Sequence, residues 1–264
     1  MKKTLRTFAP ALLVIVALAT VSFMAKGGLT LRLKPQQGKT YTITSKATTM
    51  MMMDVQGQSM SQSQGMEFRQ TFTPKNVTDK EVVIETQVDA MKMSMTVMGQ
   101  KLEYDSEHPE KTSPMLAGQV KDLEASLKKP GTVKYDVLGN VIDTLDLDMS
   151  QLGVAILQLP EKEVSKGSQW TVSREQNISG TDIQVDYTYT VTAITKKSVE
   201  VSIAGTVKGS TDDVSGSYEG TANIDPQTGL VTNSTLKSNM SMTLSQQGLS
   251  IPVTMVVNTT IEVK

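Results

Sequence analysis

A two-residue alternation of apolar and polar side chains runs through most of this sequence, and it constrains the fold more than any other feature. It is clearest near the C-terminal end, in alternate apolar positions occupied by Leu249, Ile251, Val253, Met255, Val257, Ile261 and Val263. Successive side chains of an extended strand point to opposite faces, so such a run predicts a β-strand with one buried face. Similar runs recur from Leu29 onward, between turn signals rich in Gly, Pro, Asn and Asp. The chain is therefore predicted to be mainly β.

One segment departs from this alternation and predicts an amphipathic helix over about 113–129. Its apolar stripe, spaced to lie on a single helix face, consists of Leu116, Val120, Leu123 and Leu127. Ser113 is placed to cap the first free amides, and Pro114 occupies the first helical position, where a missing N–H is harmless. Pro130 and Gly131 end the pattern.

These elements predict one architecture. A sheet of roughly ten to twelve antiparallel strands has to curl or close, and a lone amphipathic helix is suited to cover its apolar side. We therefore expect a strongly curved antiparallel sheet or open barrel, with the 113–129 helix packed on its concave face.

The sheet is expected to consist of two similar halves. A constant offset of 117 residues relates Phe72, Val82 and Ile84 to Tyr189, Val199 and Val201. Fixed self-similarity of this kind indicates an internal repeat. The predicted organisation is a signal peptide over 1–25, a first β half with the inserted helix over 29–148, a connector over 149–166 and a second β half over 167–264.

A change of register is predicted inside one strand. Val82, Ile84 and Val88 lie at even positions, whereas Met91, Met93 and Met95 lie at odd positions. A one-residue slip reverses every side chain, so the chain must contain a bulge or a tight turn at Asp89 and Ala90.

The N-terminal residues have the features of an export signal. Lys2, Lys3 and Arg6 precede an apolar core from Ala11 to Ala19, and Ala17 and Ala19 form a small-x-small cleavage pattern. The protein is expected to be exported to the periplasm or beyond, and the mature body to be soluble because no second apolar span follows. The alternative is an uncleaved signal anchor, since the apolar run approaches spanning length.

Composition argues against most enzyme classes. The sequence has no cysteine and one histidine, His108, in a charged loop, so a thiolate or Ser-His-Asp site has no support. No glycine-rich phosphate loop joins a strand to a helix. The net charge is −1, and no basic stripe with aromatics occurs, which disfavours nucleic acid. The chain is predicted to be non-enzymatic and to need no cofactor.

Methionine is the unusual residue, with 17 among 264 positions, and it allows three interpretations. The first is an adaptable apolar surface for a lipid or other apolar ligand, because thioether chains repack easily. Its candidate residues are Met91, Met93, Met95, Leu116, Val120, Leu123 and Leu127. The second is a Cu(I) site, since soft thioethers bind that ion. Its candidate ligands are Met50, Met52, Met91 and Met93. The third is ordinary β core, in a structural module that docks an envelope protein partner through its strands.

Several local motifs together resemble a known group of proteins. They are the signal peptide, the Gly38 to Ile43 opening, the Gly131 to Asn140 hairpin and the stretch from Leu159 and Pro160 to Trp170. This combination resembles a bacterial family of exported β-rich proteins of unknown function. At the level of fold, the chain also resembles the envelope lipoprotein-carrier half-barrels, in which a curved sheet wraps apolar ligands. The resemblance implies an envelope protein that binds an apolar ligand.

Overall fold

The structure is a computed structural model that describes residues 28–55, 57–97, 99–116, 129–145, 156–178, 181–209, 214–246 and 249–264. Twelve strands join into one sheet across these residues. They are β1 (Tyr41–Val55), β2 (Gln58–Val77), β3 (Glu81–Val97), β4 (Gln100–Asp105), β5 (Gly131–Asp136), β6 (Val141–Leu145), β7 (Gln169–Ile178), β8 (Thr181–Ile194), β9 (Val199–Gly209), β10 (Val214–Ile224), β11 (Val231–Gln246) and β12 (Leu249–Val263).

All the strand pairs are antiparallel, and most join neighbours in the chain. The order across the sheet is β6-β5-β3-β2-β1-β12-β11-β10-β9-β8-β7, and β4 pairs with the far end of the β3 edge that β5 also uses. The last strand lies beside the first, so the two halves meet at β1 and β12. In the described part of the chain β6 and β7 do not pair with each other, so the sheet is open. The predicted mainly β, antiparallel fold is confirmed.

The sheet is strongly curved. Tyr135 of β5 and Val172 of β7 belong to one buried cluster, although nine strand spacings separate them along the sheet. At about 4.8 Å per strand, a flat sheet would hold them roughly 40 Å apart. The adjacent connector residues Gln158 and Leu159 also hydrogen-bond to β7, at Trp170, and beside β5, at Leu138. We call the face that is buried around this cluster, on which Tyr41, Ile43 and Val82 lie, the inner face.

The segment before β1 closes one end of this curved sheet. Leu31 and Leu33 are fully buried. The backbone N–H of Leu33 donates to the Val137 carbonyl (2.8 Å), and that of Lys34 donates to the Thr228 carbonyl (2.8 Å). The alternation that begins at Leu29 correctly predicted one buried face over residues 29–34. The prediction that these residues form a strand of the sheet was wrong. The segment's hydrogen bonds go to the ends of two hairpins, because it crosses the sheet's end instead of joining an edge.

The connector joins the two edges of the sheet. The Leu159 N–H donates to the Leu138 carbonyl beside β5 (2.7 Å), and the Trp170 indole N–H of β7 donates to the Gln158 carbonyl (2.9 Å). Leu157, Leu159 and Val164 are buried in the main cluster. The described part of the connector thus crosses the opening between the sheet's ends.

Equivalent turns in the two halves make the same hydrogen bonds. In the β2–β3 turn the Thr78 hydroxyl accepts from the Lys80 and Glu81 amides, at 3.2 and 3.0 Å. In the β8–β9 turn the Thr195 hydroxyl accepts from the Lys197 and Ser198 amides, at the same two distances. The aromatic pairs Tyr41–Phe72 and Trp170–Tyr189 also stack in corresponding places, with ring centroids 4.8 and 5.1 Å apart. The similarity of the two halves therefore extends to their turn and stacking geometry.

The predicted register change in β3 is present. Arg69 of β2 pairs with Ala90, and the next residue, Gln70, pairs with Val88, so Asp89 is the extra residue of a bulge. Met91 therefore follows Val88 on the inner face, and both are buried in one cluster. The sequence located this bulge because the apolar positions change parity there.

Most of the predicted helix lies outside the described residues, as do Val120, Leu123, Leu127 and the signal segment over 1–25. Of the 113–129 range, residues 113–116 are described as a turn in which the Leu116 N–H donates to the Ser113 carbonyl (2.8 Å). The Ser113 hydroxyl accepts from the Glu103 amide of β4 (2.9 Å), so it does not cap a helix as expected. The helical structure described is a 3-10 turn at Pro109–Lys111. In the described ranges no helix is both long and apolar enough to span a membrane.

Candidate functional site

The inner face of the sheet, away from the closed end, is lined by methionine. Strand pairing and alternation place on it Met51, Met53, Met60, Met66, Met91, Met93, Met95, Met240, Met242 and Met255. We call these ten side chains the methionine face. They come from β1, β2, β3, β11 and β12, strands that are distant in sequence but adjacent in the sheet.

The strand register places several of these methionines directly opposite one another on adjacent strands. Met51 of β1 pairs with Met255 of β12, which pairs with Met240 of β11. Met66 of β2 pairs with Met93 of β3. Opposed residues on one face of an antiparallel pair have Cβ atoms about 5 Å apart, so these side chains are in contact range. The methionines therefore form two groups on one face, and Gln62 and Gln64 occupy the inner positions of β2 between Met60 and Met66.

Burial differs along the inner face. At the closed end the buried side chains include Val82, Val199 and Ile224, each with no exposed surface. On the methionine face Met91 is 1% exposed, but Met60 is 42% exposed, and Met51, Met66 and Met93 are half-buried. A large apolar surface that stays partly exposed to solvent is characteristic of binding sites.

The predicted ligand residues of β3 lie together on this surface. Met91 is buried with Val88, Tyr104 and Leu116, while Met93 packs against the same cluster. The Met91 N–H donates to the Ser106 hydroxyl (2.9 Å), which fixes the strand to the loop after β4. Met95 pairs with Leu102 and is half-buried. Leu116, 4% exposed, lies against the methionine face.

The residues predicted to bind copper do not converge. Met50 and Met52 point to the outer face and are 56% and 50% exposed. Met91 and Met93 lie on the inner face, opposite Phe68 and Met66. Because the sheet separates the two pairs, these four thioethers cannot ligate one ion. The described residues also contain no group of three or more His, Cys, Asp or Glu side chains that could hold a metal.

The second half continues the inner face with aromatic side chains. Tyr187 lies between Tyr189 and Tyr218, with ring centroids 6.3 and 5.2 Å from them. Gly205 allows this packing, because a Cβ there would lie 3.1 Å from the Tyr187 ring. Burial raises the pKa of Tyr187, Tyr189 and Tyr218, which keeps the hydroxyls neutral. These three tyrosines were not among the predicted site residues, although the odd positions of Tyr187 and Tyr189 in β8 indicated that both lie on one face.

The outer face of β2–β4 is charged. Arg69 donates to Glu107 at 2.8 Å, and Lys92 lies 3.1 Å from Asp105. The hydrogen bond from Arg69 and its charge hold the pKa of Glu107 below its usual value. Lys92 and Asp105 border a groove of about 380 Å³ beside Gly65, which Met66, Met93 and Tyr104 also line. The two ion pairs fix the loop after β4 to the sheet.

Comparisons with known proteins identify similarity in sequence and in fold. Residues 149–231 match the model of a family of unknown function (DUF6263). This agrees with the resemblance to a β-rich family of unknown function. No protein with a curated description matches the sequence.

Among solved structures, one titled "Lipid-protein interactions in lipovitellin" aligns with a TM-score of 0.50 and 10% identity. The alignment covers 87% of this chain and 25% of the lipovitellin chain, so this chain spans about a quarter of that protein. DynF from the dynemicin biosynthesis pathway of Micromonospora chersina aligns at a TM-score of 0.23 and 7% identity, over 90% of this chain and 86% of DynF. A DUF1329 family protein from Desulfovibrio piger aligns at 0.14 and 11%, over 84% and 83%.

Proposed function

We propose that this chain is an exported, non-enzymatic envelope protein that binds an apolar or lipid-like ligand on the methionine face. The observation that carries the proposal is the gathering of methionines from five strands onto one half-buried inner surface. Ligand sites are typically concave and mostly apolar, with few polar groups. The curved inner face has this character.

The distribution of residue types favours a binding surface over simple core. The closed end is filled by branched side chains such as Val82, Val199 and Ile224, which pack into fixed positions. The methionine face uses unbranched, flexible thioether chains, which adapt to variable apolar partners. A core needing one fixed packing gains little from such flexibility, whereas a surface for a flexible acyl chain does.

The segment after Leu116 is proposed to cover the ligand. Leu116 is buried against Met91 and Tyr104 at the edge of the methionine face. The amphipathic pattern over 113–129 would direct its leucine stripe toward the same surface. We infer that the ligand lies between this segment and the sheet.

The proposal of export is supported by the N-terminal sequence, and the proposal that the protein is not an enzyme is supported by the surroundings of its histidine. Lys2, Lys3 and Arg6 followed by an apolar core support export. His108, the one histidine, has a half-exposed side chain near the carboxylate of Glu110, at 3.4 Å, in the loop after β4. The lipovitellin structure, whose title concerns lipid–protein interactions, has a similar fold and supports a lipid-like ligand by analogy.

A second candidate function is a β module that docks an envelope protein through strand addition. The observation that favours it is the edge strand β6, where Val141 and Ile142 are 41% and 53% exposed. Exposed edge strands are templates for pairing with another chain. In this case Ile142→Lys would abolish binding to the partner and leave apolar ligand uptake unchanged.

The proposal is tested with N-phenyl-1-naphthylamine, a probe that fluoresces in apolar sites. Met93→Asp should weaken its binding at least tenfold, because a carboxylate on the half-buried face has to be desolvated. Met52→Asp on the outer face is the matched control and should bind the probe normally. Met93→Gln provides an uncharged variant if the aspartate prevents folding. Equal probe binding by the wild type, Met93→Asp and Met93→Gln would overturn the proposal.

A further inference from the structure

The inner face carries a single charged side chain among the described strand residues, Arg174 of β7. It alternates with Trp170 and Val172, both of which point inward. Its pairing partner is Val185 of β8, which is fully buried. Arg174 is therefore directed to the same side of the sheet as the core and the methionine face.

The charge of Arg174 acts on tyrosines from both ends of the sheet. Burial raises the pKa of Tyr135 in β5 to about 12, and Arg174 acts in the opposite direction on it. Arg174 opposes burial in the same way at Tyr187 and Tyr189 of β8. Since β5 and β7 lie near opposite ends of the sheet, Arg174 faces the interior across the opening between them.

No acidic side chain neutralises this arginine within the described residues. The ion pairs found there involve other lysines and arginines and His108, and none includes Arg174. Arg174 is half-buried among apolar and aromatic groups. An inward guanidinium in such surroundings is costly unless an anion pairs with it.

One row of inner-face residues connects Arg174 with the methionine face. Across neighbouring strands it runs through Arg174, Val185, Val207, Gly216, Met240, Met255 and Met51. Four strand spacings separate Arg174 from Met240, or about 19 Å along the curved sheet at ~4.8 Å per strand. Except for its first member, the row is apolar; Val185, Val207 and Met240 are buried in it, and Met255 and Met51 are half-buried. A chain-like ligand could therefore place an acyl tail on methionine and a charged end at Arg174.

We propose that Arg174 binds the anionic head group, carboxylate or phosphate, of an amphiphilic ligand whose tail lies on the methionine face. This inference rests on the proposed function and specifies the class of ligand. A guanidinium presents a planar set of N–H donors that matches two oxygens of a carboxylate or phosphate. An arginine remains charged at all physiological pH values, so binding is maintained across that range.

The test measures dissociation constants by calorimetry for the mature chain with three probes. Oleate has tail and charge, oleyl alcohol has the tail alone, and inorganic phosphate has charge alone. Oleate should bind the wild type at least tenfold more tightly than oleyl alcohol. Arg174→Gln should remove that difference while leaving oleyl alcohol binding within twofold, and Arg174→Lys should lose part of it. Lys208→Gln, an exposed β9 change on the outer face, is the matched control and should have no effect.

Each contrary result has a separate meaning. If the wild type binds oleate and oleyl alcohol equally, or Arg174→Gln retains full oleate preference, the head-group assignment is wrong while the apolar site stands. If phosphate alone binds as tightly as oleate, Arg174 is a free-anion site and the amphiphile is excluded. If neither oleate nor oleyl alcohol binds, the proposed function itself fails. The wild-type comparison gives an answer even if the Arg174 variants do not fold.

Discussion

Gly229→Ala tests whether the segment before β1 closes the end of the sheet. Gly229 has φ +70°, a conformation that costs an alanine about 1–2 kcal/mol. A Cβ at this position would also lie 2.3 Å from the Arg32 carbonyl oxygen. Relief of that contact must displace the backbone of the closing segment, next to the Lys34-to-Thr228 hydrogen bond of 2.8 Å. Losing one such bond costs a further ~1 kcal/mol. We expect a total loss of about 2–3 kcal/mol.

Gly38→Ala is the matched control for this change. Gly38 has a similar φ of +76°, but a Cβ there would meet nothing within 4 Å. It should therefore show the conformational cost alone, about 1–2 kcal/mol. Urea unfolding with a shared m-value gives both free energies of unfolding. If the two variants lose the same stability, the closing segment does not pack on the β10–β11 hairpin as described.

Three further predictions concern stability. The raised pKa of Tyr135, from 10 to about 12, contributes about 3 kcal/mol of stability that is complete below pH 10 and is lost as pH rises through about 12. Tyr135→Phe should therefore lose less stability between pH 9 and 12 in urea titrations. Thr78→Val and Thr195→Val should each cost about 1 kcal/mol, because both remove the same turn hydrogen bonds; unequal losses in thermal unfolding would contradict the repeat. Arg69 lowers the pKa of Glu107, so the ionised carboxylate stabilises the fold at neutral pH, and this stabilisation is lost as the pH falls below the pKa that Glu107 has in the unfolded chain. The stability of Glu107→Gln should therefore decrease less steeply at acid pH than that of the wild type.

Alternation predicted burial reliably but not the partners of each segment. It identified the inner residues of β12 and the bulge at Asp89, since both depend on parity alone. It misassigned residues 29–34 as a sheet strand, because Leu31 and Leu33 would be buried equally in a strand or in a closing segment. The neighbours of that segment are hairpin ends far away in the sequence.

The candidate site was predicted in part for the same reason. The sequence placed Met91 and Met93 on one face of a strand. That the methionines of β11 and β12 lie on the same surface could not be predicted without the strand order. The predicted copper ligands were wrong as a set, and the sequence already contained the evidence against them. Tyr41 and Ile43 mark odd positions of β1 as inner, which directs Met50 and Met52 outward.

Arg174 was missed because its signal contradicts the usual expectation for charged residues. Its position alternates with Trp170 and Val172, which predicts an inward side chain, but an arginine in a β-strand is normally attributed to the solvated face. Only the pairing with Val185 shows that it shares the inner face.

Native mass spectrometry of the protein purified from its own host tests the central claim most directly. We expect a bound species that adds the mass of one amphiphilic molecule and is released by organic solvent. The same preparation of Met93→Asp should lack that species, whereas Met52→Asp should retain it. A wild-type protein that is free of any bound amphiphile, and that takes up none when mixed with oleate or with host lipid extract, would contradict the account.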